Sequence, residues 1–239
     1  MSNVRLNPAL SSMAAIMALT GAFSELSFAM NAEYAIRWNP AEGGPKTVEE
    51  TLEALSDKSL NGLRTFTVQY FDVRTPPSDA PRGATAILRR RSTGTRYELA
   101  LKYRSVDPLG VSKCGLPGVD RSKYEVDVSL RGRNSPPTRF YSFSCETASD
   151  AGPIAPPIEF EAILSPCVSK VTRREAQRTR STIEEWRLQG GAVELEVSRE
   201  GTDSTADLEA FEREVADPLL AKGIKASPRT KSEIGSTCR

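Results

Sequence analysis

Charged and apolar side chains alternate one for one along several short segments of this chain. The alternation is clearest over residues 85–91, 96–104, 123–130 and 192–198. In the second of these segments, Glu98 and Lys102 fall on one parity, whereas Leu99 and Leu101 fall on the other. Because successive side chains of a β-strand point to opposite faces, this pattern predicts antiparallel strands with one charged face. Such a face either meets solvent or, in a closed barrel, turns inward and lines a tunnel.

The rest of the chain predicts further strands, to a total of roughly eight in two sets of hairpins, together with helices. The helices are expected over residues 47–55, 158–164 and 207–221, the last with one apolar face. Residues 147–157 are rich in small residues and proline, which predicts a loop between two halves of the fold. These elements indicate an α+β protein, an antiparallel eight-stranded tunnel-like β-barrel with flanking helices, formed by residues 30–239.

The composition fits a single globular domain and narrows the possible chemistry. The chain has 239 residues, of which 26% are charged and 38% hydrophobic. Its formal net charge is +1, so no overall field favours nucleic acid, and no nucleic acid partner is expected. The chain contains no histidine, which excludes Ser-His and Cys-His nucleophiles and every histidine-containing metal site. Any chemistry must therefore use carboxylates, amines, guanidinium groups or a bound metal.

The first 29 residues have the layout of an export signal. Arg5 gives a positive start, residues 13–23 form an unbroken run of small and apolar side chains, and residues 27–29 form a small-x-small cleavage site. The run is too short to span a bilayer, and no transmembrane span is expected. The alternative is an amphipathic or buried N-terminal helix, which Glu25 near the cleavage site favours. The first interpretation predicts a periplasmic or secreted protein that begins near Met30.

The cysteines agree with export. There are four, Cys114, Cys145, Cys167 and Cys238, and no CxxC pair occurs, whereas a zinc site needs a closer pair of ligands. Two disulfides in an oxidising compartment are therefore predicted, and all three pairings of the four cysteines stay open. The alternative is four unrelated, buried cysteines.

Charged motifs succeed one another in a recognisable order over residues 33–232. They are LRRR at 88–91, ELALK at 98–102, KYEVD at 123–127, RR at 173–174, ELE at 194–196 and TKS at 230–232. This order resembles the CYTH, or triphosphate tunnel metalloenzyme, family, in which LRxR, TxK, RxExE, an arginine, ExE and a C-terminal SK occur in the same sequence. The resemblance implies an eight-stranded tunnel in which basic side chains hold a triphosphate and acidic side chains hold a divalent metal.

The basic side chains of these motifs are suited to a small, phosphorylated anion. A polyphosphate carries several negative charges, and guanidinium and ammonium groups bind them through charge-assisted hydrogen bonds. The candidates for substrate binding are Arg37, Arg89, Arg91, Lys102, Lys123, Arg173 and Lys231.

The acidic side chains are the candidates for a cofactor, Mg²⁺ or Mn²⁺, because both ions prefer oxygen ligands. The metal candidates are Glu33, Glu125, Asp127, Glu194 and Glu196, and the last two are also the catalytic candidates. The opposite interpretation places each carboxylate pair on a solvated strand face, which is the usual location of charged strand residues.

Two positions depart from the family pattern. The family opens with ExExK, and the corresponding stretch here reads EYAIR over residues 33–37. Arg37 keeps the positive charge, but Ala35 stands in place of a metal-binding glutamate. Ala100 stands where a threonine is usual. The metal site expected from the resemblance therefore lacks one of its carboxylates.

The sequence supports three functional hypotheses. The first is an exported, metal-dependent phosphohydrolase acting on triphosphate, short polyphosphate or an organic triphosphate. The second is a non-catalytic protein of the same fold that binds a phosphorylated or other anionic ligand in its tunnel, which Ala35 favours. The third is a structural barrel whose charged faces are only hydrated. The sequence leaves the oligomeric state open.

Overall fold

The computed structural model describes residues 30–110, 113–133 and 135–238, so the predicted export signal lies outside the described residues. Within them, nine strands form a closed barrel. The strands are β1 (Asn31–Trp38), β2 (Arg64–Asp72), β3 (Thr85–Thr93), β4 (Arg96–Ser105), β5 (Arg121–Leu130), β6 (Thr138–Ser149), β7 (Ile163–Ala176), β8 (Ser181–Arg187) and β9 (Val193–Thr202). The α-helices are α1 (Val48–Ala54), α2 (Thr205–Phe211), α3 (Asp217–Ala221) and α4 (Lys231–Gly235).

The strand order around the barrel is β1-β5-β6-β4-β3-β2-β7-β8-β9, and β9 closes on β1. Every neighbouring pair is antiparallel except β1 and β5, which run parallel with Glu33 opposite Asp127. The predicted eight-stranded antiparallel barrel is therefore wrong in strand number and in this pairing. The two differences have one cause, because an odd number of strands cannot alternate direction around a closed ring without a parallel pair.

The hydrophobic core on one side of the molecule lies between the barrel wall and the C-terminal helices. Tyr34 and Ile36 of β1 are fully buried there, together with Val197 of β9. They pack with Phe211 and Val215 of the helical run after β9, and the rings of Tyr34 and Phe211 lie 5.9 Å apart. Because side chains alternate along a strand, the residues between these apolar positions face the barrel interior.

A second hydrophobic cluster covers the β3 and β4 wall. Leu88, Leu99 and Leu101 are fully buried in it and pack with Leu109 and Phe160 from the loops after β4 and β6. The alternation predicted from the sequence is thus satisfied by burying the apolar positions outside the barrel wall. The charged positions are left to the interior.

The helices match the predictions in part. Thr47 caps α1 by accepting a hydrogen bond from the backbone N–H of Glu50, as expected. The predicted helix over 158–164 is wrong, because only a single 3-10 turn (Ile158–Phe160) forms there and β7 begins at Ile163. The predicted loop over 147–157 also begins too early, since β6 extends to Ser149.

The long C-terminal helix is confirmed, but it contains a π turn. Helical structure runs from α2 through Glu212–Ala216 to α3, and the N–H of Asp217 donates to the carbonyl of Glu212. Pro218 has no N–H to continue the regular ladder. The π turn just before Pro218 shifts the hydrogen bonding by one residue, so that the N–H of Asp217 bonds to the carbonyl five residues back.

The C-terminal segment lies across one end of the barrel. It pairs with the end of β1 through an isolated bridge between Trp38 and Ala226, and then forms α4, which was not predicted. Gly235 of α4 packs so closely that a β-carbon would lie 2.4 Å from the ring of Tyr70 and 3.1 Å from that of Trp186. Only glycine therefore allows the backbone to approach these two interior side chains.

All four cysteines form disulfides, Cys114–Cys145 and Cys167–Cys238, which confirms the prediction and selects one of the three pairings. The first attaches the segment after β4 to β6, and the second attaches the C-terminal segment to β7. Among the described residues, no helix has the length and apolar character needed to cross a membrane.

Candidate functional site

The barrel encloses a cavity of about 1000 Å³ with side chains from all nine strands along its wall. Within the described part of the chain, eleven basic and eight acidic side chains line it. The interior is therefore crowded with charge and carries a net positive charge when all of these groups are ionised. Such an interior favours a small anion with several negative charges.

The cavity brings together most of the residues predicted from the sequence. All seven basic candidates line it, and so do three of the five acidic candidates, Glu33, Glu125 and Asp127. The period of two along β5 explains the grouping, because Lys123, Glu125 and Asp127 all point inward from the same strand. The interpretation that the charged faces are solvated outer faces does not describe these strands.

Three carboxylates converge on one side of the cavity. One oxygen each from Glu33, Glu125 and Asp127 lies within 4.8 Å of the other two, and we call this group the acidic trio. The parallel pairing of β1 with β5 makes the trio possible, because it sets Glu33 directly opposite Asp127. Three carboxylates at this spacing offer the hard oxygen ligands that Mg²⁺ and Mn²⁺ prefer.

Basic side chains of β4 and β5 neutralise the acidic trio. The Lys102 ammonium lies 2.9 Å from Asp127 Oδ1 and 3.4 Å from Glu125 Oε1. Lys123 Nζ lies 2.7 Å from Glu125 Oε2, and Arg104 Nη2 lies 2.9 Å from Asp127 Oδ2. The mutual repulsion of the trio is thereby offset within the protein itself.

Neighbouring cations keep two members of the trio, Glu33 and Asp127, ionised. Burial alone would raise the pKa of Asp127, but Lys102 and Arg104 outweigh it and hold that pKa below its usual value. The pKa of Glu33 is strongly lowered, mainly by the charge of Lys231 and further by Lys102, against the opposing effect of burial. Glu33 and Asp127 are therefore charged at neutral pH, as ligands of a metal must be.

A second group, which we call the arginine cluster, consists of Arg89 and Arg91 of β3 and Arg173 of β7. Arg91 Nη1 donates a hydrogen bond to Glu98 Oε2 at 3.3 Å. The ion pairs of the other two are longer, at 3.8 Å from Arg89 Nη2 to Glu146 Oε1 and 3.6 Å from Arg173 Nη2 to Glu175 Oε1. The Nε atoms of Arg91 and Arg173 are buried and, within the described residues, have no hydrogen-bond partner. Buried donors without acceptors are costly, and both of these atoms can donate to an anion.

The electrostatics of Arg91 agree with this description. Burial, followed by the neighbouring charge of Arg89, lowers the pKa of Arg91 from its ordinary value. Its guanidinium carbon lies 4.6 Å from the centre of the Phe66 ring, which holds the group over an apolar surface. The arginine cluster thus has positive charge that the surrounding carboxylates only partly neutralise.

Lys231 reaches the cavity from the C-terminal segment. Its Nζ lies 2.6 Å from Glu196 Oε1, 3.3 Å from Glu184 Oε2 and 3.6 Å from Glu33 Oε1. Burial opposes the charge of Lys231, but Glu184 and Glu196 outweigh it and raise its pKa well above the ordinary value. Arg37 also pairs with Glu196 and donates to Ser129 Oγ at 3.0 Å.

The two remaining acidic candidates lie outside the acidic trio. Glu196 is 2% exposed and is held between Arg37 and Lys231 behind the cavity lining. Glu194 pairs with Arg229 near the covered end of the barrel, and burial raises its pKa although Arg229 opposes this. Neither residue is in the cavity lining, so their metal-binding and catalytic roles stay predictions.

Ala35 lines the cavity between Glu33 and Arg37, where the resemblance leads one to expect a second glutamate. Its β-sheet partners are Ser129 on one side and Ser198 on the other, both also in the lining. This part of the wall therefore supplies hydroxyl groups but no carboxylate.

Sequence reasoning missed several charged residues of the lining, among them Arg104, Glu146 and Glu184. Arg104 could have been found, because it shares the parity of Lys102 in the same alternating segment. Glu184 could not, because it stands next to Glu185 and the pair does not say which of the two faces inward. The structure places Glu184 inside and pairs Glu185 with Arg187.

No protein-family model and no curated protein sequence matches this chain. Among solved structures, a conserved hypothetical protein from Pyrococcus furiosus aligns with a TM-score of 0.45 and 18% identity, covering 84% of this chain and 98% of that one. A "putative adenylate cyclase" from Vibrio parahaemolyticus aligns with a TM-score of 0.43, 11% identity and coverages of 86% and 98%. A Hippeastrum protein described as a "putative adenylyl cyclase" with a dominant triphosphatase activity aligns with a TM-score of 0.43 and 13% identity, covering 84% of this chain and 92% of that one. Likenesses at this level assign neither a family nor an activity to the chain.

Proposed function

We propose that this protein is a divergent member of the CYTH family, a metal-dependent phosphohydrolase that acts on triphosphate, short polyphosphate or an organic triphosphate. The observation that carries the proposal is the pairing of two groups in one cavity. The arginine cluster has buried donors without acceptors, and the acidic trio brings three carboxylates within 4.8 Å. A multiply charged anion that is hydrolysed with the help of a divalent metal needs both groups.

The basic side chains bind and orient the anion. Arg89, Arg91 and Arg173 offer planar guanidinium groups, which hold phosphate oxygens through paired hydrogen bonds. Lys231 adds an ammonium from the covered end, and the net positive charge of the lining favours entry of the anion. Binding exchanges the long ion pairs of the arginine cluster for shorter contacts with phosphate.

The residues present fit a divalent metal, which Glu33, Glu125 and Asp127 would hold. When bound, such an ion lowers the barrier by neutralising phosphate charge and making water a better nucleophile. Lys102 and Lys123 form ion pairs with Asp127 and Glu125 of the same group. If these carboxylates held a metal instead, the two ammonium groups would be free to contact phosphate. In the proposed reaction, a water oxygen bonds to the terminal phosphorus and gives up a proton to the solvent. The bridging P–O bond breaks, which releases orthophosphate and the shortened chain with its new terminal oxyanion.

We also place the protein outside the cytoplasm, in the periplasm or in secreted form. The two disulfides fit an oxidising compartment, and the predicted export signal would deliver the chain there.

Phosphate release from tripolyphosphate by the purified protein tests the proposal. Release should require Mg²⁺ or Mn²⁺ and should fall by about a hundred-fold or more in Asp127→Asn, which keeps the size of the side chain but removes a ligand charge. Asp57→Asn serves as the control, because Asp57 accepts hydrogen bonds from Thr179 outside the cavity lining. Release that needs no metal, or that Asp127→Asn leaves intact, would contradict the proposed metal site.

A non-catalytic anion-binding protein is the second candidate, and a specific observation favours it. Ala35 removes one carboxylate from the expected set, while Lys102, Lys123 and Arg104 already neutralise the acidic trio without a metal. This candidate predicts tight, metal-independent binding of tripolyphosphate with no release of phosphate. Calorimetry in the presence of a chelator, run beside the phosphate assay, separates the two.

A further inference from the structure

The position of Lys231 depends on a short terminal segment. Lys231 is the first residue of α4, which has five residues, and a helix of this length has no stability of its own. Thr230 and Glu233 form a capping box at its start, and Ile234 is buried. The helix is therefore held in place by contacts on its sides and by its connection to the rest of the chain.

The C-terminal end of this segment is covalently attached to the barrel. Cys238 follows Lys231 by seven residues in the sequence and forms a disulfide with Cys167 of β7. The attachment lies on the side of the barrel where Gly235 packs against Tyr70 of β2 and Trp186 of β8. The segment is thus fixed at both ends, by the pairing of Ala226 with Trp38 and by this disulfide.

Lys231 has a large effect on the cavity. It lies within 3.6 Å of Glu33, Glu184 and Glu196, so its removal would leave three carboxylates without a shared cation. An anion entering the cavity would lose one positive partner and meet three less neutralised negative groups. Its affinity should therefore depend on whether the C-terminal segment stays in place.

We propose that the Cys167–Cys238 disulfide is a positioning element for the ligand cavity, which keeps the Lys231 ammonium inside the barrel and thereby sets the affinity for anions. The inference rests on the proposed anion-binding function. Opening the disulfide consumes two electrons from a dithiol such as dithiothreitol, which becomes a cyclic disulfide and leaves two cysteine thiols. The barrel keeps its strands, while α4 loosens and anion affinity falls.

The second disulfide provides a matched control. The cysteines of Cys114–Cys145 are 31 residues apart in the sequence, and those of Cys167–Cys238 are 71 apart. Cys114–Cys145 does not attach the segment that contains Lys231, and neither of its cysteines lines the cavity. Tripolyphosphate affinity should fall by about ten-fold in Cys167→Ser/Cys238→Ser and stay within about two-fold of wild type in Cys114→Ser/Cys145→Ser. If the first double variant does not fold, dithiothreitol added to the folded Cys114→Ser/Cys145→Ser protein opens Cys167–Cys238 alone. Equal affinities with this disulfide closed and open would overturn the proposal.

A double-mutant cycle shows whether the disulfide acts through Lys231. Lys231→Ala should lower affinity by itself, and removing Cys167–Cys238 in that background should then cost little more. Independent, multiplying losses would mean that the disulfide acts by another route and would overturn the positioning role.

Hydrogen exchange of the unliganded protein separates this inference from the proposed function. Loss of Cys167–Cys238 should speed exchange of the α4 amides, residues 231–235, while the strands stay protected. Faster exchange in a protein that never binds tripolyphosphate would support the positioning of Lys231 and refute the anion-binding function. Unchanged exchange in α4 would refute the positioning role for any ligand.

Discussion

Glu196→Gln is the substitution with the clearest expected result, because it should move stability and ligand affinity in opposite directions. Glu196 is almost fully buried and forms ion pairs with two cations, with Arg37 at one oxygen and Lys231 at 2.6 Å from the other. Glutamine keeps the shape and one acceptor oxygen but removes the charge. Two buried cations then lose the carboxylate that they share.

The two effects can be estimated. Breaking a buried ion pair by removing one partner costs about 3 to 5 kcal/mol, and the retained amide oxygen of glutamine places the expected loss of unfolding free energy near the lower figure. The cavity meanwhile gains one unit of positive charge. At a separation of about 8 Å and an effective dielectric constant of about 20, one unit charge on a bound anion gains about 2 kcal/mol, or roughly thirty-fold in affinity.

The assay combines urea unfolding with calorimetry of tripolyphosphate binding in a chelator, so that no metal contributes. Glu185→Gln is the matched control, because Glu185 is a buried carboxylate on β8 that pairs with Arg187 at 2.7 Å and does not line the cavity. Since Arg187 is 58% exposed in that pair, the control should cost less than about 1 kcal/mol and leave affinity unchanged. Weaker anion binding in Glu196→Gln, or equal effects in the two variants, would refute the electrostatic reasoning.

Two further predictions use the same binding and unfolding assays. Arg91→Ala should weaken tripolyphosphate binding by about ten-fold to a hundred-fold. Arg90→Ala should leave binding unchanged, because Arg90 lies on the opposite face of β3 and donates to Gln69. Equal losses in the two variants would show that the arginine cluster is not part of the site. Because the folded-state pKa values of Glu33 and Asp127 are lowered, their contribution to the unfolding free energy is present above about pH 4 and is lost as the pH falls further; urea midpoints that hold steady down to about pH 2 would contradict this.

Much of the cavity could be predicted from the sequence because strand periodicity is a local property. Once residues 96–104 and 123–130 are recognised as strands, side chains at every second position must share a face, and Lys102, Glu125 and Asp127 are found in this way. Charge on that face, repeated in several strands, is unusual enough to suggest an inward orientation. The structure places these residues in one lining.

The features that could not be predicted depend on long-range contacts. The parallel contact of β1 with β5 joins strands that are far apart in the sequence, such as Glu33 with Asp127, and no local pattern encodes it. Which of Glu184 and Glu185 faces inward likewise depends on how β8 pairs with β7 and β9, which the local sequence does not reveal. Helix α4 is short and polar at its start, and its position comes from the Cys167–Cys238 disulfide and the packing around Gly235.

Most of the apolar burial in this barrel lies outside the wall, which leaves much of the interior to charged side chains. Two apolar clusters outside the wall supply burial that stabilises the fold, and a third, smaller cluster includes the interior side chains Tyr70 and Trp186. The interior also contains no histidine, and the pKa values of Glu33, Asp127 and Lys231 are all shifted away from neutrality. These three groups therefore keep their charge from about pH 5 to about pH 9. The terminal phosphate of the ligand, by contrast, has a second pKa of about 6, so binding should strengthen as the pH rises through that value.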